Sequence, residues 1–119
     1  MGTPKLSRTA YNYAKKLIDD GLYIADERDD WSEHQPTSKQ ENQFIAENSI
    51  AAYGRWHLGV DSSQPRDNKR RYKFPYGDFE KVHRCGVMAA EVRAGQYKYA
   101  DIEGAAAHLH GMIDSGREE

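Results

Sequence analysis

The sequence predicts a mainly α-helical fold, a compact bundle of four to five short helices within a single domain spanning residues 1–119. Three observations support this prediction. Apolar residues recur at helical spacing near both ends of the chain, capping residues precede several of these stretches, and the length suits one domain with one core. The polar residues 1–6 and 115–119 are expected to be frayed.

The first helix is predicted over residues 8–19, where apolar side chains fall on one face. Ser7 is a candidate N-cap, and Gly21 lies where a glycine commonly ends a helix. Residues 20–37 contain a run of acidic residues and no long apolar pattern. They are predicted to form a long acidic loop, which the apolar residues 22–24 dock onto the body of the domain.

Residues 38–58 are predicted to form two short helices, 38–47 and 50–58, with one continuous helix as the alternative. Thr37 with Gln40, or Ser38 with Glu41, fits the pattern of a capping box. Asn48 separates the two helices in this interpretation, because asparagine tolerates the backbone conformations in which helices end.

Residues 59–77 are rich in turn-forming residues and are predicted to be a loop. Pro75 disfavours a helix at the residue before it. Large apolar residues alternate with others over residues 72–79, so a short two-stranded hairpin supported by the helices is the alternative there.

The third helix is predicted over residues 79–94 and the fourth over residues 101–114, with Asp101 as the N-cap of the fourth. Gly104 within the fourth helix indicates a close approach to a neighbouring helix, because glycine is otherwise unfavourable there. The core is expected to include Tyr11, Leu17, Ile45, Trp56, Val82, Ala89, Val92, Ile102, Leu109 and Ile113.

The five histidines and the single cysteine do not show the spacing of a known metal or catalytic motif. His108 and His110 point to opposite sides of a helix, and His83 and Cys85 do the same if both are helical. Cys85 is interpreted as a core residue, and no catalytic residue, metal site or cofactor is predicted. An enzyme or metal protein built on His57, His83 and Cys85 is retained as an alternative hypothesis.

A basic and aromatic segment is the strongest candidate for a partner-binding surface. It comprises Arg66, Lys69, Arg70, Arg71, Tyr72, Lys73, Phe74 and Tyr76. We predict a non-enzymatic module that binds a macromolecular partner, most plausibly a protein. A nucleic-acid-binding module is the alternative, since basic charge neutralises phosphates and aromatic faces stack on bases. In a third interpretation the rings belong to the core and the basic side chains face water.

Two features of the composition bear on location. No stretch approaches 18 apolar residues, so no membrane span and no membrane partner are predicted. One cysteine excludes a disulfide framework within the chain and suits a reducing compartment, so a cytoplasmic location is expected.

Four stretches carry a resemblance to known proteins. They are YGRWHLGVD at residues 53–61, YKFPYGDF at residues 72–79, VHR at residues 82–84 and DIEGAA at residues 101–106. This signature resembles a family of small bacterial proteins of uncharacterised function over residues 36–114. It is more weakly similar to helical tail regions of phage-associated proteins. The resemblance implies a bacterial or prophage cytoplasmic setting and brings no catalytic residues.

Overall fold

The computed structural model describes residues 3–27 and 29–117. Over these residues the chain is a mixed α/β fold, with 57% of residues in helices and 13% in strands. The prediction of a mainly α-helical bundle is therefore wrong. The strands are short, from two to four residues each, and they lie in stretches that were predicted to be a frayed end, loop or helix.

The described residues form six α-helices and five strands. The helices are α1 (Arg8–Asp19), α2 (Trp31–His34), α3 (Ser38–Glu47), α4 (Ile50–Gly54), α5 (Arg84–Gln96) and α6 (Ala100–Arg117), with a 3-10 turn at Lys69–Arg71. The strands are β1 (Lys5–Leu6), β2 (Tyr23–Ile24), β3 (His57–Val60), β4 (Tyr72–Pro75) and β5 (Val82–His83). An antiparallel sheet has the order β1-β3-β4, and β2 pairs with β5 in parallel.

Several predicted helix boundaries are confirmed. The Ser7 hydroxyl accepts a hydrogen bond from the backbone N–H of Ala10 at the start of α1. Thr37 and Gln40 form the capping box of α3. Asn48 ends α3, so the region contains two helices rather than one.

The second of these helices is shorter than predicted. Helix α4 ends at Gly54, and residues 57–60 form the central strand β3 instead. Gly54 lies against the ring of Tyr72, and a Cβ atom there would come within 2.5 Å of Tyr72 Cε1. The hairpin given as the alternative for residues 72–79 does not form within those residues. Residues 72–75 are extended as β4, but β4 pairs with β3.

The third helix begins five residues later than predicted. Residues 78–81 form a turn and β5 follows, so α5 starts only at Arg84. The stretch 20–37 is not a plain loop, since it contains β2 and α2. Both differences arise because short segments far apart in sequence pair with each other, which local patterns do not show.

Helices α1, α5 and α6 pack on the three-stranded sheet and enclose the core. Of the predicted core residues, the structure buries Leu17, Trp56, Val82, Ile102, Leu109 and Ile113. Tyr11, Ile45 and Ala89 are partly buried. Val92 is 46% exposed and lines a groove of about 940 Å³, because α6 covers the opposite side of α5.

The predicted frayed ends are described in part. Lys5 and Leu6 form β1 and pair with β3, and residues 115–117 continue α6. Residues 1–2 and 118–119 lie outside the described part of the chain. Among the residues described, no helix combines the length and apolar character needed to cross a membrane.

We expect opposite effects from two glycine substitutions. A Cβ at Gly104 meets no atom within 4 Å, contrary to the predicted close approach, so Gly104→Ala is expected to stabilise α6 by about 1 kcal/mol. A Cβ at Gly77 would lie 2.6 Å from the Lys81 carbonyl oxygen, so Gly77→Ala is expected to destabilise by about 1–3 kcal/mol. Urea unfolding of both variants measures this, and two shifts of the same sign would contradict it.

The buried His57 is expected to make stability depend on pH. Its Nδ1–H donates to the Tyr53 carbonyl at 2.9 Å, and burial lowers its pKa to about 4. Because the unfolded state binds this proton first, stability should fall by roughly 2–3 kcal/mol as pH drops from about 6.5 to about 4. Unfolding curves against pH should be flatter over this range for His57→Gln. Parallel curves for the two proteins would contradict the expectation.

Candidate metal centre

A parallel strand pair brings together two segments that lie far apart in sequence. In this pair Tyr23 is opposite Val82, and Ile24 is opposite His83. The carboxyl ends of both strands therefore meet at the N-terminus of α5. Asp26 follows β2 there, and Cys85 is the second residue of α5.

Helix α2 brings the side chain of His34 to the N-terminus of α5 as well. The ring of Trp31 packs on Gly86, where a Cβ would come within 2.9 Å of it, so α2 can approach the start of α5 closely. His34, at the end of α2, turns back toward Asp26. Residues 23–27 and 29–34 thus fold over the N-terminus of α5.

Four potential metal ligands converge at this point: Asp26, His34, His83 and Cys85. Asp26 Oδ2 lies 2.7 Å from Nδ1 of both histidines and 3.1 Å from Cys85 Sγ. His34 Nδ1 and Cys85 Sγ are 3.8 Å apart. All four ligand atoms lie within 4.8 Å of one another, and no other such group occurs in the part of the chain that the structure describes. We refer to these four residues as the cluster.

Further residues hold the cluster from outside. His83 Nε2 donates to Asp78 Oδ2 at 2.8 Å. The backbone N–H of Cys85 donates to Asp26 Oδ1 at 2.8 Å, so Asp26 also caps α5 and benefits from the helix dipole. Arg84 donates to the Asp26 carbonyl at 3.2 Å and to Asp114 on α6 at 2.8 Å. Each ligand-bearing segment is therefore tied to the body of the fold.

The electrostatics of the metal-free cluster are those of a carboxylate surrounded by donors. Burial acts to raise the pKa of Asp26, but hydrogen bonds from Cys85 and the two histidines outweigh it and lower the pKa to about 2. Burial opposes a charge on His83, yet Asp78 and Asp26 together raise its pKa. Burial and the Asp26 charge raise the pKa of the Cys85 thiol.

These shifts argue against a cysteine nucleophile. The thiolate is the reactive form, and it needs a lowered pKa and access to substrate. Cys85 is 1% exposed and its pKa is raised. A metal cation at the cluster would instead lower the pKa of the Cys85 thiol, since a coordinating thiol is deprotonated by its metal. The arrangement suits metal binding better than nucleophilic catalysis.

The structure unites two of the three residues named in the metal or enzyme hypothesis. His83 and Cys85 belong to the cluster, whereas His57 lies in the core against Tyr53. His83 and Cys85 would point apart if both were helical, but His83 belongs to β5. Asp26 and His34 were not predicted as site residues, because they lie in the stretch predicted to be an acidic loop and belong to no motif.

The basic and aromatic segment is divided between core and surface. Phe74 and Tyr76 are buried, and Lys69 pairs with Glu41 at 2.9 Å. The partly buried residues are Lys69, Arg71, Tyr72 and Lys73, and the exposed ones are Arg66 and Arg70. Buried rings offer no face for stacking on bases. Binding of a protein or a nucleic acid by this segment stays a prediction.

No protein-family model, curated protein or solved structure matches this chain. The resemblance of residues 36–114 to small bacterial proteins, and more weakly to phage-associated ones, therefore stays a prediction. What the cluster does has to be inferred from its own chemistry.

Proposed function

We propose that this chain is a zinc-binding domain in which the cluster holds one divalent ion. The convergence of two imidazole nitrogens, one thiol sulfur and one carboxylate oxygen within 4.8 Å carries this proposal. Zinc takes these three kinds of ligand, usually four at a time in a tetrahedron. Zinc bonds of about 2.0–2.3 Å place neighbouring ligands roughly 3.3–3.7 Å apart, so modest side-chain shifts accommodate the ion.

Charge supports a divalent ion at this position. With neutral histidines, the Asp26 carboxylate and a Cys85 thiolate carry two negative charges, which one zinc ion neutralises. The surroundings add further negative charge, because the two carboxylates of Asp78 and Asp114 lie near the one charge of Arg84, and this favours a bound cation. The mixture of sulfur and nitrogen ligands disfavours magnesium and calcium, which prefer oxygen.

The proposed role of the ion is structural. Four protein ligands leave no coordination position for a substrate, which is the pattern of structural zinc sites. Asp26 and His34 come from one segment, while His83 and Cys85 come from another about 50 residues further on. The ion would hold residues 23–27 and 29–34 against the N-terminus of α5. These residues are otherwise held by the two-residue pairing of β2 with β5 and by the contact of Trp31 with Gly86, while Ile24 is 38% exposed and α2 has no buried residue.

Titration of the metal-free protein with zinc tests the proposal. After chelator treatment and buffer exchange, calorimetry is expected to show one zinc bound per chain, with protons released from the thiol. Magnesium and calcium at millimolar concentration should not compete. Absence of binding, or only weak binding by several ions per chain, would contradict the proposal.

A further inference from the structure

We infer that Asp78 is a positioning residue that fixes which nitrogen of His83 is free to bind a metal. The inference rests on the proposed zinc site. The His83 ring lies between two carboxylates, with Nδ1 2.7 Å from Asp26 and Nε2 2.8 Å from Asp78. Only Nδ1 faces the other three ligands, so Nδ1 has to lose its proton and Nε2 has to keep one. Metal-binding histidines commonly donate their second ring N–H to a carboxylate.

The Asp78 side chain is itself held in place. Its Oδ1 accepts from the backbone N–H groups of Glu80 at 3.0 Å and Lys81 at 2.7 Å. Its own backbone N–H donates to the Lys81 carbonyl at 3.1 Å, which closes the turn. One carboxylate oxygen is thus used by the turn, and the other, Oδ2, is aimed at His83.

The turn contains a strained residue that the surrounding structure keeps in place. Phe79 has φ of 72°, in the left-handed region that a bulky residue rarely adopts. Its ring stacks on Phe44 with centroids 4.3 Å apart and meets Trp56 edge-on. Strain of this kind persists where packing over-determines the backbone, and it is often found at functional sites. Here it places Asp78 one hydrogen bond away from a metal ligand.

An asparagine at position 78 would keep the hydrogen bonds that Asp78 accepts within the turn, but it would lose the acceptor for the N–H at His83 Nε2. In Asp78→Asn the side-chain carbonyl still accepts the two turn N–H groups, which fixes the amide orientation. The amide NH₂ then faces His83 Nε2 and requires that nitrogen to accept a hydrogen bond. The one proton of a neutral His83 ring is then kept at Nδ1, where it donates to Asp26 and blocks coordination, although the turn is retained.

Zinc affinity and the His83 tautomer are the two measurements that test this. We expect Asp78→Asn to bind zinc about 10–100-fold more weakly than the unsubstituted protein. Nitrogen-15 NMR of the imidazole should show a protonated Nε2 in the unsubstituted protein and an unprotonated Nε2 in Asp78→Asn. Glu80→Gln is the matched control, because it removes one charge from the same turn at an exposed side chain and should bind normally.

The outcomes distinguish the two proposals. Unchanged affinity and an unchanged tautomer in Asp78→Asn would overturn the role of Asp78 while leaving the zinc site standing. An equal loss in Glu80→Gln would also overturn it, because the effect would then be one of charge and not of position. A failure of the unsubstituted protein to bind zinc would overturn the proposed function, and this inference with it.

Discussion

Replacing His34 by alanine is expected to weaken zinc binding about a hundredfold and to change the metal-free protein little. Structural zinc sites bind with about 10–16 kcal/mol, so each of four ligands accounts for roughly 3 kcal/mol, which is about a hundredfold in affinity. The His34 side chain is 36% exposed, so its removal leaves no cavity in the core. Competition with a chromophoric chelator measures the affinities of both proteins.

His108→Ala is the matched control for this substitution. His108 is an exposed histidine on α6 that contacts Tyr11 edge-on and lies outside the cluster. Its removal should leave zinc affinity unchanged. An equal loss in both variants, or no loss in His34→Ala, would show that zinc is bound somewhere other than the cluster.

Zinc is expected to raise the melting temperature by about 10 °C and to order one segment. At a free zinc concentration a hundred times the dissociation constant, binding stabilises the folded state by about 2.7 kcal/mol. For a domain of this size each kcal/mol raises the melting temperature by roughly 4 °C. Calorimetry with zinc and with a chelator measures the difference.

Hydrogen exchange locates this stabilisation in the chain. Amides of residues 23–27, 29–35 and 83–86 should gain the most protection when zinc is added, because the ligands lie in these parts of the chain. The turn at residues 62–68 contains no ligand and serves as the internal control. Uniform protection over the whole chain, or none at residues 23–35, would contradict a structural role for the ion.

Parts of the fold could be predicted from the sequence because they depend on local patterns. Ser7 and Thr37 cap helices through contacts three residues along the chain, and Asn48 ends one. The strands could not be predicted in the same way. Strands β2 and β5 have two residues each and pair across a gap of 59 positions, so neither contains a pattern of its own.

The cluster could not be predicted from the sequence for the same reason. Asp26 and His34 are eight residues apart in a stretch that has no motif. The parallel pairing of β2 with β5 brings Asp26 to Cys85, and the packing of Trp31 on Gly86 brings His34 there. The sequence offered one clue, a histidine and a cysteine two positions apart at residues 83 and 85. In an extended or capping conformation, such a pair can point toward the same ion, whereas within a helix it cannot.

X-ray absorption at the zinc edge tests the central claim most directly, because it reports the atoms bound to the ion. If the cluster binds zinc, the first shell contains one sulfur at about 2.3 Å and three nitrogen or oxygen atoms at about 2.0–2.2 Å. The sulfur should disappear in Cys85→Ser, since Cys85 is the only cysteine in the chain. A first shell without sulfur in the unsubstituted zinc-loaded protein would contradict the proposed site.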